Sequence, residues 1–168
     1  MHAEDAADLM DQEKASNRFK QRAAIAIGIL AMLLSITSLG GSNASKEAIN
    51  NNVLASNFFN FYQAKNMRQT SIALAADQFE LAFVNEPALP PEARAALQKK
   101  AQDYRKTVAR YDSEPETGEG KQELLARAKE YEAKRDHALK QDPYFDYAEA
   151  LLQIAIVLIS VAIVADVV

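Results

Sequence analysis

Two apolar stretches, one near each end of the chain, constrain the fold more than any other feature. Residues 23–39 contain no charged side chain, and residues 148–168 are interrupted only by Glu149 and Asp166. A helix needs about 20 apolar residues to cross the ~30 Å hydrocarbon core of a bilayer. Each stretch is close to that length. We therefore expect a first transmembrane helix at 23–39, and an interfacial start leading into a second transmembrane helix over 143–168.

The first stretch is interpreted as a retained membrane helix and not as a signal peptide. The segment before it, residues 1–22, is rich in acidic side chains, and the apolar run exceeds the 7–15 residues of a signal-peptide core. Four cations directly precede the stretch: Lys14, Arg18, Lys20 and Arg22. Only Lys46 lies comparably close on the other side. The positive-inside rule then predicts that residues 1–22 lie in the cytoplasm. In the inner membrane of a Gram-negative bacterium, residues 40–147 would lie in the periplasm.

The polar composition of the middle segment excludes several function classes. Its cations and anions nearly balance, which argues against a nucleic-acid partner. The chain has no cysteine, and no phosphate loop or zinc-protease motif occurs in it. His137 lies in a strongly charged segment and is interpreted as a surface residue. We therefore predict no enzyme activity, no cofactor, no metal site and no small-molecule substrate.

Residues 40–142 are predicted to form a helical domain outside the membrane. Apolar residues recur at helical spacing over 44–84, which predicts one long helix or two pieces broken near Asn50–Asn52. Heptad-like stripes over 91–111 and 121–141 flank a polar turn and predict an antiparallel coiled-coil hairpin. The segment from Gly40 to Asn43 is expected to end or bend the first membrane helix, and Asp142 and Pro143 to begin a new helix.

One cluster on the long helix is a candidate contact site for a partner subunit or for lipid headgroups. Its aromatic side chains cover more than one helix face, which is more than a lone helix can bury. Its cations share a face with Tyr62 and could instead pair with Asp77, Glu80 or an acid of the hairpin. The candidate residues are Phe58, Phe59, Phe61, Tyr62, Lys65 and Arg68.

The predicted membrane helices carry two further sets of candidate residues. Small residues at i, i+4 spacing let helices approach closely, and buried amides or hydroxyls can bond across helices. The candidate packing residues are Ala24, Gly28, Ala31, Ser35, Gln153 and Ser160. Tyr144, Phe145 and Tyr147 are placed where an aromatic belt would meet the membrane interface.

Four separated segments resemble, in the same order, a family of bacterial membrane proteins known only as domain of unknown function forty-three thirty-seven. They are residues 39–48 (LGGSNASKEA), 61–70 (FYQAKNMRQT), 110–114 (RYDSE) and 142–157 (DPYFDYAEALLQIAIV). The resemblance covers about residues 18–164. It implies a cytoplasmic N-terminus, because a basic loop and a further apolar helix usually follow in that family. It supplies no activity and no functional residue.

Two hypotheses from different classes follow. The first is a non-catalytic scaffold or accessory subunit that is anchored in the bilayer and binds a larger membrane complex or further copies of itself. The second is an oligomeric small-solute or ion pathway, or a membrane sensor, with Glu149, Gln153 and Asp166 facing the pathway and the outer domain acting as a gate. The first is favoured because charged residues are missing from the centre of both apolar stretches.

Overall fold

The described part of the chain is entirely helical. The computed structural model describes residues 3–86 and 88–165, and within these ranges it contains three helices and no strand. They are α1 (Ala3–Asn85), α2 (Pro91–Asp112) and α3 (Lys121–Val164). Pro91 opens α2, where its missing N–H leaves no helical bond unmade, and Glu92 in the first turn favours the helix dipole. The predicted all-α class is confirmed.

Helices α1 and α3 are longer than the sequence indicates. Gly40 and Gly41 do not end a helix, because α1 continues through them. Likewise Pro143 lies inside α3 instead of beginning a new helix. An interior proline costs about 3 kcal/mol and an interior glycine about 1 kcal/mol, so packing at these positions has to offset the loss. The contacts of Asp142 and Phe145 with α1, on either side of Pro143, supply such packing.

The chain divides into two compact units. The terminal unit consists of Met1–Ala48 and His137–Val168, and the central unit consists of Ile49–Asp136. Each unit contains a stretch of α1 and a stretch of α3, and the central unit also contains α2.

In the central unit, α2 and α3 both pack antiparallel to α1, on successive stretches of it. The ring of Phe79 meets Tyr104 of α2 at a centroid distance of 5.6 Å. The ring of Phe58 stacks on Tyr131 of α3, also at 5.6 Å. Phe58 and Phe79 are about six helical turns apart on α1, or roughly 30 Å. The two tyrosines are therefore far from each other, and the predicted antiparallel hairpin of α2 on α3 is wrong.

Further contacts fix the direction of each helix. Gln69 donates a hydrogen bond to the carbonyl of Val108. Residue numbers on α1 therefore fall, from Phe79 to Gln69, as the numbers of their partners on α2 rise, so the two helices are antiparallel. Lys121 bonds Asn66 and Arg135 bonds Asn52, which gives α3 the same antiparallel sense. The heptad stripes are real, but they face α1 and not each other.

Small side chains form most of the buried seam between the helices. On α1 the buried residues from Ala44 to Ala55 follow one another in steps of three or four, and the buried members of the seam include an asparagine and a lysine among the alanines. Alanine lets helix axes approach closely, so the seam is narrow and the larger side chains lie at its edges. The buried apolar residues are Ala23, Ala44, Ala48, Ala55, Ala76, Ala101, Leu124, Ala128 and Ala138.

Candidate functional site

The most elaborate polar site lies in the central unit, where α1 meets the loop between α2 and α3. Lys65 is buried, with 8% of its side chain exposed. Its ammonium donates to the carbonyl of Glu119 and lies 3.5 Å from the Glu114 carboxylate. It also lies over the rings of Tyr111 at 5.1 Å and Phe61 at 5.9 Å. A buried ammonium requires such partners, because isolated charge is costly to desolvate. We call these five residues the Lys65 cluster.

The loop that receives Lys65 is shaped by a glycine and by a carboxylate. Gly118 has φ of +67°, a conformation that residues with a Cβ rarely adopt. Its N–H donates to the carbonyl of Glu114 at 2.9 Å. Glu123 then accepts hydrogen bonds from the Ser113 hydroxyl at 2.7 Å and from the Glu114 N–H at 3.2 Å. The Ser113 bond is the main cause that holds the pKa of Glu123 below its ordinary value.

A cavity of about 240 Å³ opens beside the Lys65 cluster. Arg68 and Arg110 line it together with members of the cluster. Arg110 lies 3.6 Å from the Glu114 carboxylate, whereas Arg68 makes no ion pair within the ranges that the structure describes. Because Lys65 and Arg110 are both matched by acids, this site is chemically suited to holding the loop against α1. Arg68 alone is available for an external anion.

The six predicted contact residues separate into an inner and an outer group. Phe58, Phe59 and Tyr62 are half-buried. The ring of Phe58 stacks on Tyr131 of α3, and the Arg127 guanidinium lies 5.7 Å from its centroid. Lys65 belongs to the cluster, where it pairs with acids of the α2–α3 loop, one of the alternatives open from the sequence. Phe61 and Arg68 are exposed.

A second ion-pair group joins α1 to α2 in the central unit. Arg105 bonds both oxygens of the Glu80 carboxylate, at 3.0 and 2.9 Å, and also bonds Asp77. The hydrogen bond from Arg105 lowers the pKa of Glu80, and the two acids raise the pKa of Arg105. These side chains are about half exposed, so the group contributes orientation more than stability.

In the terminal unit the small predicted packing residues do not lie between α1 and α3. Ala24, Gly28, Ala31 and Ser35 are all exposed, and nothing lies within 4 Å of a Cβ placed on Gly28. The hydroxyl of Ser35 bonds its own helix at the Ala31 carbonyl. Two residues remain in the set: Gln153 is exposed and reaches Glu149 at 3.4 Å, and Ser160 is half-buried and bonds the Ile156 carbonyl.

The three predicted belt aromatics differ sharply in their environment. Tyr144 and Tyr147 are 76% and 71% exposed. Phe145 instead packs on α1. A Cβ placed on Gly40 would overlap the Phe145 ring, and a Cβ placed on Gly41 would lie 3.2 Å from the Cβ of Phe145. The two glycines therefore admit an aromatic ring. Close by, the Ser45 hydroxyl donates to Asp142 at 2.7 Å. We call these five residues (Gly40, Gly41, Ser45, Asp142 and Phe145) the Gly40 contact.

Sequence reasoning missed the Gly40 contact because glycine pairs and Asp-Pro pairs usually mark helix ends. A signal was present, since both segments have a strong helical period on either side of the supposed breaks. Asp166 lies outside the described residues, so its place relative to Gln153 is not described. His137 contacts Gln141 at 3.1 Å. Across 3–86 and 88–165, no group of three or more His, Asp or Glu side chains is arranged to hold a metal ion.

These features define an all-helical protein in which two helices, α1 and α3, are long and apolar enough to span a membrane, judged by length and composition alone. A family model described as a domain of unknown function (DUF4337) matches residues 19–167. The chain belongs to that family. Searches of the curated proteins and of the solved structures gave no match.

The four sequence segments that carry the family resemblance meet in two pairs. Residues 39–48 and 142–157 supply the Gly40 contact within the terminal unit. Residues 61–70 and 110–114 supply Lys65, Tyr111 and Glu114 of the Lys65 cluster within the central unit. The most recognisable motifs of this chain are thus places where its helices hold one another.

Proposed function

We propose that this protein is a non-catalytic helical scaffold or accessory subunit, anchored in the inner membrane of a bacterium, that associates with a larger membrane complex or with further copies of itself. The observation that carries the proposal is the exposed apolar surface of the terminal unit. A surface of this kind is unfavourable in water, by roughly 25 cal/mol for each Å², and is satisfied by lipid tails.

That surface comes from both helices of the terminal unit. On α1 and α3 the large apolar side chains mostly point away from the helix pair and are about half exposed or more. The exposed members are Ile25, Ile29, Met32, Leu33, Ile36, Leu39, Leu151, Ile154, Val157, Leu158, Val161 and Val164. Within the apolar part of a continuous helix the backbone groups bond one another, which is the requirement for a chain in contact with lipid.

The distribution of cations supports a cytoplasmic N-terminus. The cations from Lys14 to Arg22 immediately precede the apolar part of α1, and the positive-inside rule assigns such a flank to the cytoplasm. Residues 40–147 would then lie in the periplasm.

The central unit supports the binding part of the proposal. Its ion pairs are used to hold α2 and α3 on α1, and the described ranges contain no group of three or more His, Asp or Glu side chains arranged to hold a metal ion. Large apolar side chains remain on the outer side of α1, and three of them, Met67, Leu74 and Leu81, recur at a spacing of one heptad. Such a stripe suits contact with another helix.

Membrane anchoring is tested by fractionation of the full-length chain. We expect it to sediment with membranes, to resist alkaline carbonate and to be released by detergent. Recovery in the detergent-free supernatant after ultracentrifugation would refute the proposed location.

Sidedness is tested with single cysteines, because the chain has none of its own. Glu116→Cys lies in the exposed α2–α3 loop, and Glu13→Cys lies in the exposed N-terminal segment. An impermeant thiol reagent added to intact spheroplasts should label Glu116→Cys alone. Labelling of Glu13→Cys alone would reverse the orientation.

Association is tested by purification in mild detergent at native expression level. A stoichiometric membrane complex or a defined homo-oligomer would support the scaffold. A monodisperse monomer would contradict it, and an oligomer with a polar axial opening would favour the pathway hypothesis.

A further inference from the structure

A groove in the terminal unit combines an apolar lining with a cation. It encloses about 440 Å³ between α1 and α3. Alanines on both helices leave this space, because their side chains do not fill the gap between the axes. The apolar lining consists of Phe19, Ala23, Ala26, Leu158, Ile159 and Ala162, and Arg22 is the one charged side chain in it.

The guanidinium groups of Arg22, which lines the groove, and of Arg18, which precedes it on α1, have no counter-ion among the described residues. Arg22 is exposed and makes no ion pair or hydrogen bond with any described residue. Arg18, about one helical turn earlier, is also exposed and also makes no ion pair or hydrogen bond with any described residue. Lys14 differs, since its ammonium lies 3.5 Å from the Asp11 carboxylate. Two unmatched guanidinium groups next to an apolar groove are chemically complementary to an amphiphile with a phosphate head.

We propose that this groove binds an anionic phospholipid, with one acyl chain along the apolar lining and the headgroup phosphate held by Arg22 and Arg18. The inference rests on the proposed membrane location and deepens it. The apolar lining favours a lipid over free phosphate, which has nothing to place there. The cytoplasmic surface of a membrane, where the N-terminal cations are expected, has a negative potential that attracts basic segments.

The test uses the full-length protein in mild detergent, titrated with phosphatidylglycerol or phosphatidylcholine and analysed by native mass spectrometry. We expect tighter binding of phosphatidylglycerol. Arg22→Gln should weaken that binding about fivefold, and Arg18→Gln with Arg22→Gln should weaken it further. Binding of phosphatidylcholine should fall less, because its choline cation offsets the charge of the phosphate that the arginines hold. Lys14→Gln, a cation of the same segment that does not line the groove, should leave both affinities unchanged.

A second variant tests the apolar part of the site. Ala26→Leu fills the groove and should reduce binding of both lipids, with helix content monitored by circular dichroism. Equal affinity of the wild type and Arg22→Gln, or an equal loss in Lys14→Gln, would overturn the inference. So would displacement of the lipid by inorganic phosphate.

The two proposals fail in different ways. A chain found in the detergent-free supernatant overturns the membrane location itself. A chain that is embedded in membranes, yet binds both lipids equally, overturns only the lipid site.

Discussion

The two units use the same helix pairing but present opposite outer surfaces. Both have a narrow seam of alanines between antiparallel helices: Ala44 and Ala138 in the terminal unit, Ala55 and Ala128 in the central unit. Along residues 23–39 and 148–164 of the terminal unit the exposed side chains are mainly apolar, whereas in the central unit they are mainly polar. The seam therefore sets how the helices pair, and the outer surface sets which solvent they pair in.

The units also differ in how they fix their register. The terminal unit relies on shape, with an aromatic ring seated on two glycines and one hydrogen bond between Ser45 and Asp142. The central unit relies on charge, with Lys65 and Arg105 each joining α1 to another element. Charge pairs suit helices that are surrounded by water, and shape suits the lipid environment that we propose for the terminal unit. The predictions below test this contrast.

The largest effect is expected from Gly40→Leu in the terminal unit. A side chain at this position would overlap the ring of Phe145 and force the helices apart. Overpacking of this kind should cost about 2–3 kcal/mol of unfolding free energy. Circular dichroism of the full-length protein during titration from mild detergent into dodecyl sulfate measures it.

Gly28→Leu is the matched control, because it lies on the same helix with open space around it. It should change the free energy of unfolding by less than about 1 kcal/mol. Adding Phe145→Ala should restore part of the stability lost in Gly40→Leu. Equal effects of the two glycine substitutions would show that shape does not fix this register.

The next effect is expected from Lys65→Met in the central unit. Methionine keeps an apolar stem of similar length but removes the bond to the Glu119 carbonyl and the approach to Glu114. Loss of hydrogen bonds made by a charged group should cost about 2 kcal/mol.

Arg68→Met, one turn away and exposed, provides the comparison and should lie within about 0.5 kcal/mol of the wild type. Both are measured by thermal or urea unfolding in detergent. A Lys65→Met protein as stable as Arg68→Met would mean that the loop holds to α1 without its lysine.

The spacing of apolar residues predicts where the helices of the central unit form, but it does not predict which helices pack against each other. The heptad stripe on α3 begins at Leu124 and Ala128 as its spacing indicates, and both are fully buried. An apolar stripe indicates that a helix packs against another helix, but it does not identify that helix. The polar turn before α3 looks like a reversal, yet Gly118 and Glu123 give it a conformation in which the chain continues in the same direction along α1.

The same limit explains the candidate residues. The spacing of small residues predicts helix packing at Ala24 and Gly28. The buried seam of α1 instead passes through Ala23, which is one residue away from Ala24 and so rotated by about 100° around the helix axis. Lys65 could be identified as an unusual cation among aromatics, but its acids arrive from a loop far along the chain. Sequence periodicity cannot supply contacts of that range.

A smaller effect is expected from Ser45→Ala. The substitution removes the one hydrogen bond to Asp142 and should cost about 1 kcal/mol. Ser42 is exposed on the same helix, so Ser42→Ala should leave the free energy of unfolding unchanged. The dodecyl sulfate titration used for Gly40→Leu measures both. A loss as large as that of Gly40→Leu would show that a polar contact, and not shape, dominates the terminal unit.

The smallest effect is the pH dependence that the α2–α3 loop contributes to stability. Because the pKa of Glu123 is lowered in the folded protein, the folded state binds fewer protons there than the unfolded state does near pH 4. The stabilisation is therefore present above the unfolded pKa of about 4.3 and is lost as pH falls through the folded value. Glu123→Gln should reduce the drop in urea midpoint between pH 6 and pH 3, while Glu116→Gln, exposed in the same loop, should not.

Some pH dependence should remain, since ion pairs with Arg105 and Lys134 lower the pKa of Glu80 and Glu130. Carbon-detected titration of the Glu123 carboxyl in Ser113→Ala gives the direct measure, and a carboxyl that titrates as in the wild type would remove the serine as its cause.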